Sequence, residues 1–111
     1  MMKIGFLQFK PELCKPDENI DKIREIILNC KTDFDLLVLP ELANSGYLFS
    51  SRKDALSASE EIPGGKFCQA LAEISKQKNA FIIAGISEKA GDVLYNSAIL
   101  VSPKGEIESY R

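Results

Sequence analysis

Glu41 is the residue of this chain whose position best suits it for chemistry. It ends the segment DLLVLPE, in which an apolar run leads directly into a carboxylate. Open α/β sheets bind their ligands beyond the carboxyl ends of the strands, and a carboxylate in apolar surroundings there can act as a general base. The other interpretation is an ordinary solvated Glu at a strand end. On position alone, this second interpretation is the simpler one.

The remaining chemistry must come from carboxylates, lysines or thiols, because the chain contains no histidine. That absence excludes Ser-His-Asp catalysis, Cys-His catalysis and HExxH zinc sites within these residues. Cys30 lies on the apolar stripe of one predicted helix and Cys68 lies in another, so we expect both in the core. Cys14 lies in a loop. We expect none of the three to be a nucleophile, because none follows a buried strand with a base nearby.

Composition indicates one small globular domain of 111 residues, with 45% hydrophobic residues, 27% charged residues and a net charge of −2. Without a basic cluster, nucleic acid is not an expected partner. No apolar run is long enough to span a bilayer, and the N-terminal run Ile4–Phe9 suits a strand better than a signal peptide. Three scattered cysteines fit a reducing compartment, so we expect a cytoplasmic protein. Neither a metal nor an organic cofactor is implied.

Short apolar runs predict buried strands, and the first is expected to be covered on both faces. Polar residues between apolar ones at helical spacing predict two helices, one starting near Pro16 and one near Gly65. Residues 42–63 are predicted to be irregular, and Pro63-Gly64-Gly65 is either a plain helix entry or a weak anion cradle. The predicted strands are Ile4–Phe9, Leu36–Leu39, Phe81–Ile86, Leu94–Val101 and Glu106–Arg111.

The predicted order is β-α-β-α-β-β-β, with a turn at Ser102–Gly105 before the last strand. Strands that alternate with helices indicate the α/β class, here with parallel pairing early and a hairpin late. A flavodoxin-like binder of small ligands would share the early order. The closing hairpin and the absence of a phosphate-binding loop count against that alternative.

Three segments together resemble the nitrilase superfamily of carbon–nitrogen hydrolases. They are KIGFLQF near the start, DLLVLPELANSGY in the middle and FIIAGISEKAGDVLYNSAILVSPKGEIESYR at the end. Their order and spacing match as well, so the resemblance covers Lys3 to Arg111. Its most specific parts are Leu39-Pro40-Glu41, Gly46-Tyr47, Tyr95-Asn96-Ser97-Ala98, Pro103-Lys104-Gly105 and Tyr110-Arg111.

The resemblance implies a hydrolase that uses a Glu-Lys-Cys triad on an amide or nitrile through a thioester. Carried over, Glu41 is the general base that takes the thiol proton from within a dry pocket. Tyr47 is a candidate substrate-binding residue, although an ordinary half-buried tyrosine is the commoner case. The family's catalytic Lys follows the Tyr-Arg pair directly and its Cys lies further on, so these residues hold only the Glu. Lys104, in the hairpin turn, is no substitute.

The resemblance also implies a fold, a four-layer α-β-β-α sandwich, of which residues 1–111 form the N-terminal part of a single incomplete domain. Expected substrates are small-molecule amides or nitriles with non-peptide C–N bonds. Expected partners are further copies of the chain or a missing C-terminal half, because one sheet alone leaves edges and apolar faces uncovered. The alternative is a non-catalytic remnant or a self-associating α/β interaction module.

Overall fold

A computed structural model describes every residue, from Met1 to Arg111, as one α/β layer. The fold belongs to the α/β class, as predicted. The elements in chain order are β1 (Ile4–Phe6), α1 (Pro16–Asn29), β2 (Leu36–Val38), α2 (Arg52–Ala58), α3 (Lys66–Lys78), β3 (Phe81–Ala90), β4 (Val93–Val101) and β5 (Ile107–Tyr110).

The five strands form one sheet in the order β1-β2-β3-β4-β5. The first two pairings are parallel, because α1 and α3 provide the crossovers that parallel strands require. The last two pairings are antiparallel hairpins, and Ala98 lies opposite Gly85 on one side and Tyr110 on the other. The predicted change from parallel pairing to a closing hairpin is therefore confirmed.

The core lies between α1, α3 and one face of the sheet. Alternate residues of the central strand, such as Ile82 and Ile86, are fully buried there. Apolar residues at helical spacing supply the other side, with Ile23 and Ile27 from α1 and Leu71 from α3. Each predicted helix therefore buries the stripe that its sequence pattern indicated, except at Cys30.

The opposite face of the sheet lacks a helix layer over much of its area. Its end near Gly85 and Ser87 is covered, by the backbone of residues 40–42 and by Ser59. The apolar side chains of the uncovered part include Ile4, 64% exposed, and Phe6, 78% exposed, on β1. Phe81 of β3 and Tyr110 of β5 are exposed on the same face. The expectation that β1 is covered on both faces is therefore wrong for these residues. The sequence of β1 is apolar without polar alternation, as expected for a strand covered on both faces, but helices pack against only one face of the strand.

Four local predictions also need correction. β1 ends at Phe6, three residues before its predicted end at Phe9. Residues 42–63 include the short helix α2, which Ser51 caps by accepting a hydrogen bond from the Asp54 N–H. Cys30 is exposed rather than buried, because α1 ends at Asn29 and Cys30 leaves the helix in an extended conformation. β3 continues to Ala90, four residues past its predicted end, because its polar second half still pairs fully with β4.

No helix in the structure is both long and apolar enough to cross a bilayer.

Candidate active site

Glu41 lies in a two-residue bulge at the end of β2, directly over Gly85 of β3. The Gly85 N–H donates to the Pro40 carbonyl at 3.1 Å, and the Ala43 N–H donates to the Gly85 carbonyl at 2.9 Å. Glu41 and Leu42 therefore stand opposite a single residue of the neighbouring strand. A Cβ on Gly85 would lie 2.5 Å from the Glu41 Cα, so only glycine fits beneath the bulge.

Leu42 adopts a left-handed conformation with φ of 48°. This conformation is rare for a bulky residue and is retained only where the surroundings enforce it. Its carbonyl accepts hydrogen bonds from the N–H groups of Ser45, at 3.2 Å, and Gly46, at 2.9 Å. The turn after Glu41 is thus closed by its own backbone, which limits the directions in which the Glu41 side chain can leave the strand.

Two fully buried asparagines anchor this turn to the rest of the fold. The Asn44 side chain donates to the Ser87 carbonyl at 3.2 Å and accepts from the Ser87 N–H at 2.8 Å, as a neighbouring strand would. The Asn19 side chain, from α1, donates to the Asn44 carbonyl at 3.0 Å and to the Glu12 carbonyl at 2.9 Å. The Glu41 turn is therefore held by both a helix and a strand.

The Glu41 carboxylate points over the uncovered face of the sheet and is exposed. The Asn96 side chain, from β4, donates to its Oε1 at 2.5 Å. The phenol of Tyr47, which is 49% exposed, lies beside the same carboxylate. Burial and, after it, the nearby Glu41 charge raise the pKa of Tyr47. The structure thus brings Glu41, Tyr47 and Asn96 together, but the dry pocket expected around Glu41 is absent from these residues.

The three thiols lie elsewhere and none is prepared as a nucleophile. Burial and the neighbouring Glu60 charge strongly raise the pKa of Cys68, which is fully buried in α3. Burial and the charge of Asp54 raise the pKa of Cys14. Exposed Cys30 points to the carbonyl of Thr32, 3.6 Å away. The prediction that Cys68 is a core residue is confirmed.

The N-terminus of α3 is occupied by a carboxylate of the chain itself. Glu60 accepts hydrogen bonds from the N–H groups of Phe67, at 2.9 Å, and Cys68, at 3.0 Å. These donors are unpaired within the helix, and a negative charge is favourable at that end. Of the two interpretations of Pro63-Gly64-Gly65, the structure therefore supports the helix entry, with Glu60 in the place of an external anion. No group of three or more metal-ligating side chains occurs in the chain.

The roles of three residues around Glu41 were not predicted from the sequence. Asn96 belongs to a recognised motif, but nothing local indicates that its side chain reaches a residue 55 positions away. Gly85 lies in an apolar strand, where an isolated glycine is a signal for a close backbone approach. Asn44 is a polar residue in a turn segment, and only its complete burial reveals its role.

Known proteins resemble this chain in both sequence and fold. The family model for carbon-nitrogen hydrolase matches residues 3–111. The chain is 38% identical to a nitrilase of Pyrococcus abyssi, over 100% of this chain and 43% of that protein. It is 33% identical to a protein N-terminal amidase of Schizosaccharomyces pombe, over 96% of this chain and 40% of the relative.

Among solved structures, an N-terminal amidase superimposes with a TM-score of 0.86 at 28% identity, covering 99% of this chain and 27% of that one. The chain therefore spans about two fifths or less of the length of these relatives.

Proposed function

This chain belongs to the carbon–nitrogen hydrolase family, and from that premise we propose that Glu41 is the general base of a hydrolase that cleaves amides or nitriles. The observation that carries the proposal is the contact between Glu41 and Asn96. A carboxylate on a strained turn, anchored by two buried asparagines, is oriented over an otherwise apolar face. Such preorganisation is what a base needs in order to take a proton from one defined direction.

The register of the last hairpin supports the proposal that a lysine is the second member of the triad. Ala98 pairs with Tyr110, the last pair of the hairpin, so continuing the register would put Arg111 opposite Ser97. One step further, the residue that follows Arg111 would lie opposite Asn96 and, by strand alternation, on the same face as the Asn96 side chain. The family resemblance puts a lysine there. Its ammonium would then lie beside the group that holds Glu41.

In the proposed reaction, Glu41 takes the proton of a cysteine thiol and the thiolate attacks the amide carbonyl or nitrile carbon. The lysine stabilises the negative charge that develops on the substrate. With an amide, the protonated Glu41 returns its proton to the leaving amine and a thioester remains. With a nitrile, the nitrogen takes up that proton to give a thioimidate, and addition of water followed by loss of ammonia gives the same thioester. Water, deprotonated by Glu41, hydrolyses the thioester and releases the acid. Tyr47, half exposed beside the carboxylate, is the proposed substrate contact.

The cysteine and lysine must come from residues outside the 111 described. The uncovered face of the sheet fits this requirement, because an apolar surface that carries Ile4, Phe6 and Phe81 is stabilised when a second layer covers it. That layer would also exclude water from Glu41 and supply the dry pocket. Further copies of the chain could cover the same face, which is the self-associating alternative.

Intact mass of the purified gene product, with sequencing of its C-terminus, separates these alternatives first. A product near 12.3 kDa would favour the remnant or self-associating module. A product of roughly twice that mass, with Lys after Arg111 and a Cys further on, would favour the hydrolase. Because some relatives are named N-terminal amidases, the proposed substrates include amides carried by peptides as well as small non-peptide amides.

Glu41→Gln tests the base directly. The wild-type gene product, incubated with a simple amide, should release ammonia and show a transient acyl adduct on a cysteine by intact mass. Glu41→Gln should form no adduct, because the thiol keeps its proton. Glu25→Gln makes the same change at an exposed position of α1 and should react like the wild type. Adduct formation at the wild-type rate in Glu41→Gln would refute the proposal.

A further inference from the structure

Among the carboxylates that form ion pairs in this chain, that of Glu88 on β3 is the most buried. The proposed reaction does not use it. Its side chain is only 6% exposed and accepts three hydrogen bonds. Ser97 donates through Oγ at 2.7 Å, and Arg111 donates through Nε at 3.1 Å and through Nη2 at 2.9 Å. The Arg111 guanidinium also lies 3.9 Å from the centroid of the Tyr95 ring. It is thus fixed by a two-point ion pair and by stacking.

This arrangement ties the edge of the sheet to its centre. β5 is an edge strand of four residues, and Ser109 and Tyr110 at its end are exposed. Arg111 follows the last paired residue and reaches past β4 to Glu88 on β3. A short exposed strand end frays easily, because few buried contacts oppose its opening. The ion pair opposes it, since opening would leave the buried Glu88 carboxylate without its cation.

We propose that the Glu88–Arg111 ion pair is a positioning device of the active site, which holds the end of β5 so that the next residue stays beside Glu41 and Asn96. The inference rests on the proposed function, because it assumes that a catalytic cation follows Arg111. Glu88 itself faces the helix side of the sheet and touches no reacting atom. It acts through the backbone of β5, on the position of the cation that stabilises the oxyanion.

Loss of the ion pair should weaken the stabilisation of the transition state rather than the binding of the substrate. The charge that the cation stabilises is absent from the bound amide and develops as the thiolate attacks. A displacement of about 1 Å in such a group can cost about a hundredfold in rate. Loss of the ion pair should therefore lower kcat and kcat/KM together and leave KM nearly unchanged. A general loss of folded protein would instead lower the amount of active enzyme in proportion to the unfolded fraction.

The test uses Glu88→Gln in the full gene product, with single-turnover formation of the acyl adduct from a simple amide. We expect the adduct to form about 10-fold to 100-fold more slowly than in the wild type. Hydrogen exchange in the peptide 107–111 should be faster, while exchange in α1 and α3 stays unchanged. Glu106→Gln, the same change at an exposed turn position just before β5, should react at the wild-type rate.

Arg111→Lys provides a second route if Glu88→Gln does not fold. Lys keeps the charge but cannot make the two-point contact or the stack, so we expect an intermediate rate of adduct formation. The double variant should be no slower than Glu88→Gln alone, because both changes remove one interaction. Wild-type adduct formation in Glu88→Gln, or in Arg111→Lys if that variant alone folds, would overturn the inference. If Glu41→Gln remained inactive in that case, the proposed function would stand without it.

Discussion

The backbone of Glu41 lies directly on Gly85, two residues that are 44 positions apart in the chain. Their contact decides where the carboxylate leaves the sheet, because the bulge that presents Glu41 exists only where β3 carries no side chain. The catalytic proposal therefore depends on a glycine that has no chemistry of its own.

Gly85→Ala should displace the Glu41 bulge. The added methyl group meets backbone atoms of Glu41, Leu42 and Pro40 within 2.9 Å, and backbone yields less readily than a flexible side chain. We expect a loss of about 1–3 kcal/mol in the free energy of unfolding, measured by urea titration, and a larger proportional loss of adduct formation. Gly64→Ala is the matched control, because nothing lies within 4 Å of its added Cβ. Equal stability of the two variants would contradict the prediction.

Asn96→Ala should slow formation of the acyl adduct without changing the fold. It removes the hydrogen bond to Glu41 at the exposed end of the site, and hydrogen bonds to charged groups contribute about 1.5–3 kcal/mol. We expect a rate about 10-fold to 100-fold lower. Asn96→Asp should be slower still, since a second carboxylate would repel the first. Asn29→Ala, at the exposed end of α1, is the control, and an equal effect there would refute a specific role for Asn96.

Asn44→Ala should destabilise the protein, because it leaves the buried N–H of Ser87 unpaired and removes one of the two donors to the Ser87 carbonyl, the other being the Glu60 N–H at 3.2 Å. Unsatisfied buried groups cost about 1–3 kcal/mol, and thermal unfolding should report that loss. Asn44→Asp should cost at least as much, since it would bury an unpaired negative charge and cannot donate to the Ser87 carbonyl. A thermal midpoint within 1–2 °C of the wild type, roughly the effect of a neutral surface change, would contradict this account.

The Glu88–Arg111 ion pair should make stability depend on pH. The pKa of Glu88 lies below its usual 4.5, mainly because its carboxylate accepts hydrogen bonds from Arg111. Burial acts in the opposite direction and raises the pKa. The hydrogen bond from Ser97 and the charge of Arg111 lower the pKa further. The folded state therefore releases this proton more readily than the unfolded state. The stabilisation is complete above the unfolded pKa and disappears as the pH falls through the folded pKa.

Urea titrations of the wild type and Glu88→Gln between about pH 7 and pH 3 check this sign. The difference in the free energy of unfolding should be constant near neutral pH and shrink at acid pH. The other ionisable neighbours are Tyr95 under the guanidinium, Glu60, bridged to Glu88 through the backbone, and Cys68, whose pKa the Glu88 charge helps to raise. Glu60→Gln is accordingly the control. Its own difference from the wild type in the free energy of unfolding, measured over the same pH range, must be subtracted. A difference that grows as the pH falls would show that the sign is wrong.

Much of the fold was predictable because its signals are local. Ile20, Ile23 and Ile27 repeat at helical spacing, and one helix face must then be buried. The apolar run before Glu41 predicted both the strand and its end. The short helix α2 was missed because its buried side consists only of Ala55 and Ala58, which give a weak apolar signal. Cys30 was misplaced because the end of α1 has no strong stop signal.

By itself, the sequence determined the order of the elements, the family resemblance and the place of Glu41 at the end of a parallel strand. Only the tertiary structure decided which residues meet Glu41. The contacts of Glu41 with Asn96 and Gly85, and the Glu88–Arg111 ion pair, join residues that are 23 to 55 positions apart in the chain. Such contacts depend on strand register and on where a turn crosses the next strand. A register shift of one residue would move every one of these side chains to the other face, and no local pattern encodes that choice.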